Sequence, residues 1–277
     1  MTAYWAYGTR CLAVVLLLAL PLSQAAGEAY SYLDNFEDGD ISDWTVPTSG
    51  TGSIAPSVAR SFGGIYGLHM TSIPQGDRAC AIAPSDLGNL DYTKAYTIAF
   101  EFNYDKSNDA NGFHFVEVLA MNDADGIARH VGLYLDTPGL AGGQDALIYR
   151  DSVPSNNVIA GLKEDLWYHL DVAVDPSAET YDLTITDPQA TSGVYDHVHA
   201  QWVNQLVTAD IPFIGAGQSD GFSSLRVGDR NADAATYDHG EAYWDNIAVQ
   251  GTKIPEPATL ALLALGGLAV TRRKRNT

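Results

Sequence analysis

Cysteine is scarce in this 277-residue chain, which contains only Cys11 and Cys80. Cys11 lies inside an apolar N-terminal run that we expect to be removed, so a single cysteine stays with the rest of the chain. This excludes an internal disulfide, and with it the class of small domains that disulfides hold together. The folded part must therefore be stabilised by burial of apolar side chains, alone or together with a bound metal.

Basic side chains are also few, with 15 Lys and Arg against 34 Asp and Glu. Five of the basic residues lie at the two ends of the chain, so the 28–256 segment has ten basic and 34 acidic side chains and a formal net charge of −24. A surface of this sign repels phosphate backbones, which excludes nucleic acid as a partner. The excess of Asp suits either a hydrated external surface or the binding of divalent cations.

No apolar run reaches the length of about 20 residues that crosses a bilayer comfortably. The first short run, Cys11–Leu20, follows the single charge of Arg10 and ends at a proline. Small residues in the Ser-Gln-Ala tripeptide at 23–25 then fit the signal peptidase pocket. This pattern predicts a signal peptide over residues 1–25, with cleavage after Ala25 or Ala26 by signal peptidase. The alternative is a buried N-terminal helix, but no second amphipathic helix follows to pack against it.

The second short run, Ala258–Val270, has 13 residues and lies between a Pro-Glu-Pro tripeptide and a basic tail. The two prolines keep the tripeptide extended and accessible to a processing enzyme. The cations hold the tail on the cytoplasmic side of a membrane that the short run enters. This arrangement indicates a transient, processed anchor. The motif residues are Pro255, Glu256 and Pro257, and the basic tail residues are Arg272, Arg273, Lys274 and Arg275.

Residues 254–277 resemble the PEP-CTERM sorting signal in this tripeptide, in the Gly266-Gly267 pair and in the terminal arginines. The resemblance implies recognition and cleavage by an exosortase, which is an integral-membrane cysteine transpeptidase. It also implies export to the cell surface or extracellular matrix of a Gram-negative-type bacterium, because such bacteria usually make an extracellular polysaccharide matrix. We therefore divide the chain into a signal peptide (1–25), one domain (26–251) and a sorting signal (252–277) that ends in a hydrophobic helix and its tail.

The body of the chain alternates apolar and polar residues with the period of a β-strand. In residues 96–104 aromatic and apolar side chains occupy one face, and the residues between them are small or polar. Residues 166–174 repeat the alternation, turn residues follow at 175–179, and residues 181–185 resume it. This pattern predicts a β-hairpin.

Further short strands are separated by clusters of Gly, Asn, Asp and Pro, which predicts an all-β sandwich. Val194–Val207 has apolar residues at steps of four and fits either a helix or irregular loop packing. The further strands are predicted at Phe113–Ala120, His130–Asp136, Ala146–Arg150, Ser224–Gly228 and Ala242–Gln250.

Segments at both ends of the domain resemble concanavalin A-like and laminin G-like jelly rolls. The predicted hairpin resembles their hairpin, a later segment resembles their closing strand, and two early segments resemble the opening of carbohydrate-binding jelly rolls. The resemblance implies a jelly-roll β-sandwich. The segments are Trp167–Asp175 with Tyr181–Ile185, Tyr243–Val249, Asn35–Gly39 with Trp44, and Gly64–His69.

In such jelly rolls the first and last strands often pair and share a structural Ca²⁺, with one acidic side chain from each. By position these ligands are Glu37 and Asp245 in this chain. Asp245 alternates in phase with Tyr243, Ile247 and Val249, which predicts that it points toward the core. A cation would compensate an unpaired carboxylate there. The alternative is an Asp that accepts hydrogen bonds from backbone amides or from Arg.

Sequence motifs of catalysis are missing. Laminarinase-like enzymes of this architecture carry Glu-x-Asp-x-x-Glu on one strand, since glycoside hydrolysis generally uses two carboxylates. That pattern does not occur here, and Glu101 and Glu117 each stand alone on a predicted strand, where a Glu is most often solvent-facing. His197 and His199 have no clear third metal ligand nearby and are interpreted as surface residues. We therefore predict that the protein has no catalytic residues and is not an enzyme.

Binding of a glycan requires an exposed aromatic face beside amide and carboxylate groups. The candidates are Tyr134, Tyr149 and Trp202, which lie in or beside predicted loops or polar faces, although for Trp202 we expect core packing ahead of ligand binding. The leading hypothesis is a non-catalytic surface or matrix protein whose jelly roll binds carbohydrate. The competing hypotheses are a glycan-cleaving enzyme and a purely structural matrix protein. The tryptophans expected in the core are Trp44, Trp167 and Trp244.

Overall fold

The computed structural model describes residues 28–46, 48–71, 78–82, 87, 89–105, 113–114, 131–136, 145–150, 156–213, 225–229 and 241–254. Within them there are 17 β-strands and no α-helix, which confirms the all-β prediction. The predicted signal peptide, the sorting motif, the basic tail and Glu117 lie outside these residues. The strands are β1 (Ala29–Asp34), β2 (Thr48–Ser49), β3 (Ile54–Ser57), β4 (Gly67–Met70), β5 (Arg78–Ile82), β6 (Tyr96–Asp105), β7 (Phe113–His114), β8 (Leu133–Asp136), β9 (Asp145–Arg150), β10 (Asn156–Leu162), β11 (Tyr168–Asp175), β12 (Thr180–Thr186), β13 (Val194–Asp196), β14 (Gln201–Val203), β15 (Gln205–Pro212), β16 (Arg226–Asp229) and β17 (Glu241–Thr252).

Eight strands form the larger sheet, in the order β15-β12-β11-β6-β17-β4-β3, with β1 also paired to β17. Strand β17 is long enough to have β6 on one side and two successive neighbours on the other. Its residues 242–244 pair with β4, and its residues 247–252 pair with β1. The first and last strands therefore pair in antiparallel fashion, as the jelly-roll resemblance implied.

The remaining strands form a six-stranded sheet, β14-β13-β10-β9-β8-β7, and a three-stranded sheet, β16-β5-β2. A continuous apolar cluster contains side chains from all three sheets, including Phe100 of β6, Leu147 of β9 and Val227 of β16. A polar contact also crosses this core, because the Tyr104 hydroxyl of β6 donates to Asp145 Oδ2 of β9 at 2.8 Å. The eight-stranded sheet thus has one face toward the core and an opposite face, here called the outer face.

The alternation in the sequence correctly identified the central strands. The aromatic and apolar residues of β6 are all buried in the core cluster, and β11 and β12 form the predicted hairpin. Its turn is held by Asp175 Oδ1, which accepts a hydrogen bond from the backbone N–H of Ser177 at 2.9 Å. Trp44, Trp167 and Trp244 are buried, as expected.

The segment Val194–Val207 is neither a helix nor an irregular loop. It contains the short hairpin β13–β14 and the start of β15. Asp196 Oδ1 accepts hydrogen bonds from the backbone N–H groups of Val198 and His199, so the chain turns where a helix would have continued. Steps of four between apolar residues arose here from a turn inserted between two strands, not from helical periodicity.

The predicted orientation of Asp245 is wrong because β17 contains a bulge. Asn246 has a left-handed backbone conformation with φ of 49°, and the pairing with β6 shifts register between Asp245 and Ala248. Ile247 and Val249 belong to the core cluster, whereas Asp245 is paired with Glu101 on the outer face. One extra residue moves the side chains before it to the opposite face of the sheet.

The chain divides into two compact units, one formed by residues 29–252 and the other by the two chain ends. Of the second unit the structure describes Glu28, Lys253 and Ile254, and the Lys253 ammonium lies 2.6 Å from Glu28 Oε1. Among the described residues, no helix is long and apolar enough to cross a membrane.

Candidate functional site

Residues 58–66, here called the strap, cross part of the outer face. The Arg60 guanidinium donates to Asn103 Oδ1 at 2.8 Å, Asp165 Oδ1 at 2.6 Å and Asp105 Oδ2 at 2.7 Å. It also lies 5.0 Å from the centre of the Tyr243 ring. Charge-assisted hydrogen bonds of this kind are stronger than neutral ones, so Arg60 fastens the strap to the sheet.

Glu37 and Asp245, the predicted calcium ligands, both hold the strap through its backbone. Glu37 Oε1 accepts from the N–H of Ile65 at 2.9 Å, and Asp245 Oδ2 accepts from the N–H of Phe62 at 2.8 Å. Asp245 Oδ1 accepts from Asn246 N–H at 2.8 Å. Asp245 therefore has the amide partners that the sequence left open as its alternative role. Among the described residues no group of three or more His, Cys, Asp or Glu side chains could hold a metal, and a shared Ca²⁺ stays a prediction.

A row of ionisable groups lies next to the strap on the outer face. Asp245, Glu101 and His169 are successive cross-strand neighbours on β17, β6 and β11. Glu101 Oε1 is 2.9 Å from His169 Nδ1, and His169 Nε2 is 3.2 Å from Asp171 Oδ2. Glu101 is only 8% exposed, and within the described part of the chain its Oε2 has no hydrogen-bond partner. The expectation of a solvent-facing Glu101 is therefore wrong.

The two carboxylates change the protonation of His169. The hydrogen bond that His169 donates to Glu101 raises the pKa of His169, with a further contribution from Asp171. Both ring nitrogens contact a carboxylate, which suits an imidazolium better than a free base. Burial raises the pKa of Asp245, and the nearby Glu101 adds to this effect. Perturbed groups of this kind mark functional sites, although ion-pair networks also produce them.

A hollow of about 210 Å³ adjoins this row on the outer face. It spans four adjacent strands, β12, β11, β6 and β17, in two cross-strand rows. Its floor contains alanines from three of them, so a ligand can approach the backbone closely, and hydroxyl, carboxylate and amide groups surround that floor. The lining residues are Thr97, Ala99, Asp171, Val172, Ala173, Asp182, Thr184, Ala248 and Gln250.

Two of the three aromatic residues predicted to bind a ligand, Tyr149 and Trp202, do not line a common cavity. Tyr149 lines a separate cleft of about 630 Å³, described below. Trp202 is on β14 and is 37% exposed, so the expectation that it packs in the core is wrong. Its ring meets Tyr195 edge-on, and the Lys163 ammonium lies 4.2 Å from its centre. Tyr134 lies on β8, and its side chain is outside the described residues.

Sequence reasoning missed His169, Asp171 and Arg60 as members of the outer-face site. The alternation of β11 does place His169 and Asp171 on the face opposite Leu170, so their common face was readable. Their meeting with Glu101 depended on the register between β11 and β6, which local patterns do not specify. Arg60 lies 43 positions from Asn103 in the chain, and no sequence signal joined them.

Comparison with known sequences concerns the C-terminus. Residues 253–275 match the family model of the PEP-CTERM protein-sorting motif. The chain therefore carries that motif, which indicates an exported protein that an exosortase processes and that is sorted to the cell envelope. Among curated proteins, none matches the sequence.

Comparison with solved structures concerns the domain. A protein of unknown function from Shewanella oneidensis MR-1 is 9% identical with a TM-score of 0.51, covering 87% of this chain and 94% of its own. The cellulose induced protein Cip1 is 11% identical with a TM-score of 0.50, covering 80% and 98%. The catalytic domain of a glycoside hydrolase family 131 protein from Coprinopsis cinerea is 12% identical with a TM-score of 0.47, covering 79% and 95%. The likeness to Cip1 supports the fold alone, a concanavalin A-like jelly-roll sandwich.

Proposed function

We propose that this protein is a non-catalytic envelope or matrix protein that binds polysaccharide in the hollow of the outer face. The observation that carries the proposal is the composition of that hollow, in which an alanine floor is surrounded by Asp171, Asp182, Thr184 and Gln250. Carboxylate, hydroxyl and amide groups are the partners that sugar hydroxyls need, and a shallow floor across several strands suits a chain better than a compact ligand.

The neighbouring ionisable row supports binding over catalysis. Both nitrogens of His169 contact carboxylates, so the ring is not free to act as a base. Glu101 Oε2 is buried, whereas Asp171 is 55% exposed and reachable from the hollow. When a sugar is bound, the ionisable row orients Asp171 beside it. His169, between the two carboxylates, limits the repulsion between Asp171 and Glu101.

The sorting motif supplies the cellular setting of the proposal. An exported chain that an exosortase processes reaches the envelope, where polysaccharide is accessible. We further propose removal of residues 1–25 by signal peptidase, transient membrane contact of the C-terminal segment, and residence in the matrix of a Gram-negative-type bacterium. The net charge of −24 favours neutral polysaccharides over uronate polymers, which carry charge of the same sign.

Affinity electrophoresis in gels that contain soluble xylan, mixed-linkage β-glucan or alginate tests the binding proposal. We expect retardation by a neutral polymer, and loss of that retardation in Ala173→Arg, which places a long side chain in the hollow. Ala178→Arg, in the exposed turn after β11, is the control and should bind like the unmodified protein. Equal retardation of all three proteins would remove the hollow from the proposal.

A second candidate function is glycan cleavage. Asp171 and Asp182 both line the hollow, and the pairing of β11 with β12 makes them diagonal neighbours. A glycoside hydrolase generally needs two carboxylates beside the scissile bond, and this diagonal pair meets that minimum requirement. Release of new reducing ends from xylan or β-glucan, lost in Asp171→Asn while binding persists, would establish this function and refute the non-catalytic one.

A further inference from the structure

A second cavity, here called the edge cleft, has a volume of about 630 Å³ and lies between edge strand β15 of the eight-stranded sheet and strands β9 and β10 of the six-stranded sheet. Its walls come from Tyr149 of β9, residues 157–159 of β10, the turn 196–199 and residues 206–209 of β15. None of these residues lines the hollow of the outer face. The two cavities are therefore separate sites.

The edge cleft contains the groups that recognise a sugar ring. Tyr149 is half-buried and packs against the core, so its ring is a fixed apolar wall. Asn157 and Thr208 add amide and hydroxyl groups beside it. An aromatic wall with a few hydrogen-bonding groups around it is the usual composition of a saccharide site.

One imidazole at the rim of the edge cleft is held in a fixed orientation. Asp196 Oδ2 lies 2.5 Å from His199 Nδ1, and Asp196 Oδ1 accepts from the backbone N–H of Val198 at 2.9 Å. The hydrogen bond from His199 lowers the pKa of Asp196. His199 lines the cleft and is 69% exposed, so a ligand in the cleft can contact its ring at little cost in ordering.

The lining of the edge cleft is close to neutral, unlike the rest of the domain. Among the described residues that line it, Asp196 is the single carboxylate, and His199 pairs with it. The 28–256 segment as a whole has a formal net charge of −24. An anionic ligand would be repelled on approach, whereas a neutral sugar unit meets no such barrier.

We propose that the edge cleft is a second binding site for neutral polysaccharide, so that one molecule bridges two polysaccharide chains. The proposal rests on the proposed function, because bridging requires that the outer-face hollow also binds. Two sites on one polymer raise the apparent affinity well above that of either site.

The test uses the unmodified protein and two matched variants, in each of which an exposed alanine of a strand is replaced by arginine. Ala209→Arg obstructs the edge cleft, and Ala173→Arg obstructs the hollow. Apparent affinity is measured by retardation in gels with soluble xylan or mixed-linkage β-glucan. Bridging is measured by light scattering of the same polymers at increasing protein concentration.

We expect each variant to bind about 10- to 100-fold more weakly and to lose the scattering increase, and the double variant to lose binding. Tyr149→Ala should act like Ala209→Arg. If Ala209→Arg binds and bridges like the unmodified protein, the edge cleft is not a saccharide site, while the outer-face proposal stands. If Ala173→Arg has no effect while Ala209→Arg loses binding, the edge cleft binds saccharide, but the outer-face proposal fails and the bridging proposal fails with it. If the unmodified protein binds none of the polymers, both proposals are overturned.

Discussion

Arg60 fastens the strap to the outer face, and its removal should destabilise the domain. It donates to Asn103 Oδ1, which is 1% exposed, and to Asp105, whose side chain is 18% exposed. Leaving a buried acceptor without its donor costs about 1–3 kcal/mol. The partly exposed pair with Asp105 adds about 0.5–1 kcal/mol. We therefore expect Arg60→Ala to lower the free energy of unfolding by about 2–4 kcal/mol.

The assay is thermal and denaturant unfolding of the purified protein. A loss of about 3 kcal/mol corresponds to a fall of about 6–12 °C in the melting midpoint of a domain this large. Asp165→Asn is the matched control, because Asp165 is 62% exposed, Asn tolerates its φ of 60°, and its ion pair with Arg60 should contribute less than about 1 kcal/mol. If both variants lower the melting midpoint equally, the hydrogen bond to buried Asn103 is not the source of the stability that Arg60 contributes.

Three further predictions concern the outer face. Asn246→Val should lower the free energy of unfolding, measured in urea, by about 1–3 kcal/mol, because a β-branched residue disfavours a φ of 49°. Asn246→Gly should be nearly neutral. If Asn246→Val is as stable as the unmodified protein, the left-handed bulge at Asn246 is refuted. The raised pKa of His169 means that its contribution to stability is fully present below the unfolded-state pKa and is lost as pH rises through the folded-state pKa. His169→Gln should therefore flatten the fall in melting midpoint over that window, and an unchanged pH profile would contradict the pairing. Ca²⁺ should raise the melting midpoint and a chelator should lower it, whereas the Glu37→Gln, Asp245→Asn double variant should respond to neither. A melting midpoint of the unmodified protein that does not change with Ca²⁺ would refute the predicted calcium site.

Much of the fold was readable from local alternation. Strands β6, β11 and β12 have apolar residues at every second position, and only one face of such a strand can be buried. Trp244 was also correctly expected in the core, as part of a framework segment and not from alternation. Where a single residue breaks the period, local reasoning fails, as it did for Asp245, which directly precedes the bulge at Asn246.

The candidate sites were less predictable than the strands. In the sequence Glu101 is a lone Glu on a predicted strand. In the structure the pairing of β6 with β11 and β17 places His169 and Asp245 beside it. Tyr149 was selected as an exposed aromatic residue and does line a cavity, but its neighbours come from β10 and β15. Register and sheet packing bring together residues that are distant in the chain, and no local pattern records them.

The sorting signal and the all-β class can both be read from the amino-acid sequence. A sorting signal is a linear arrangement of Pro255-Glu256-Pro257, an apolar run and a basic tail, so its information is complete without a fold. The strand class follows from a period of two residues, which is also a local property. The folded chain, in contrast, was needed to see that Arg60, Glu37 and Asp245 fasten one strap. Each of those contacts requires a long-range approach that burial of the whole core makes favourable.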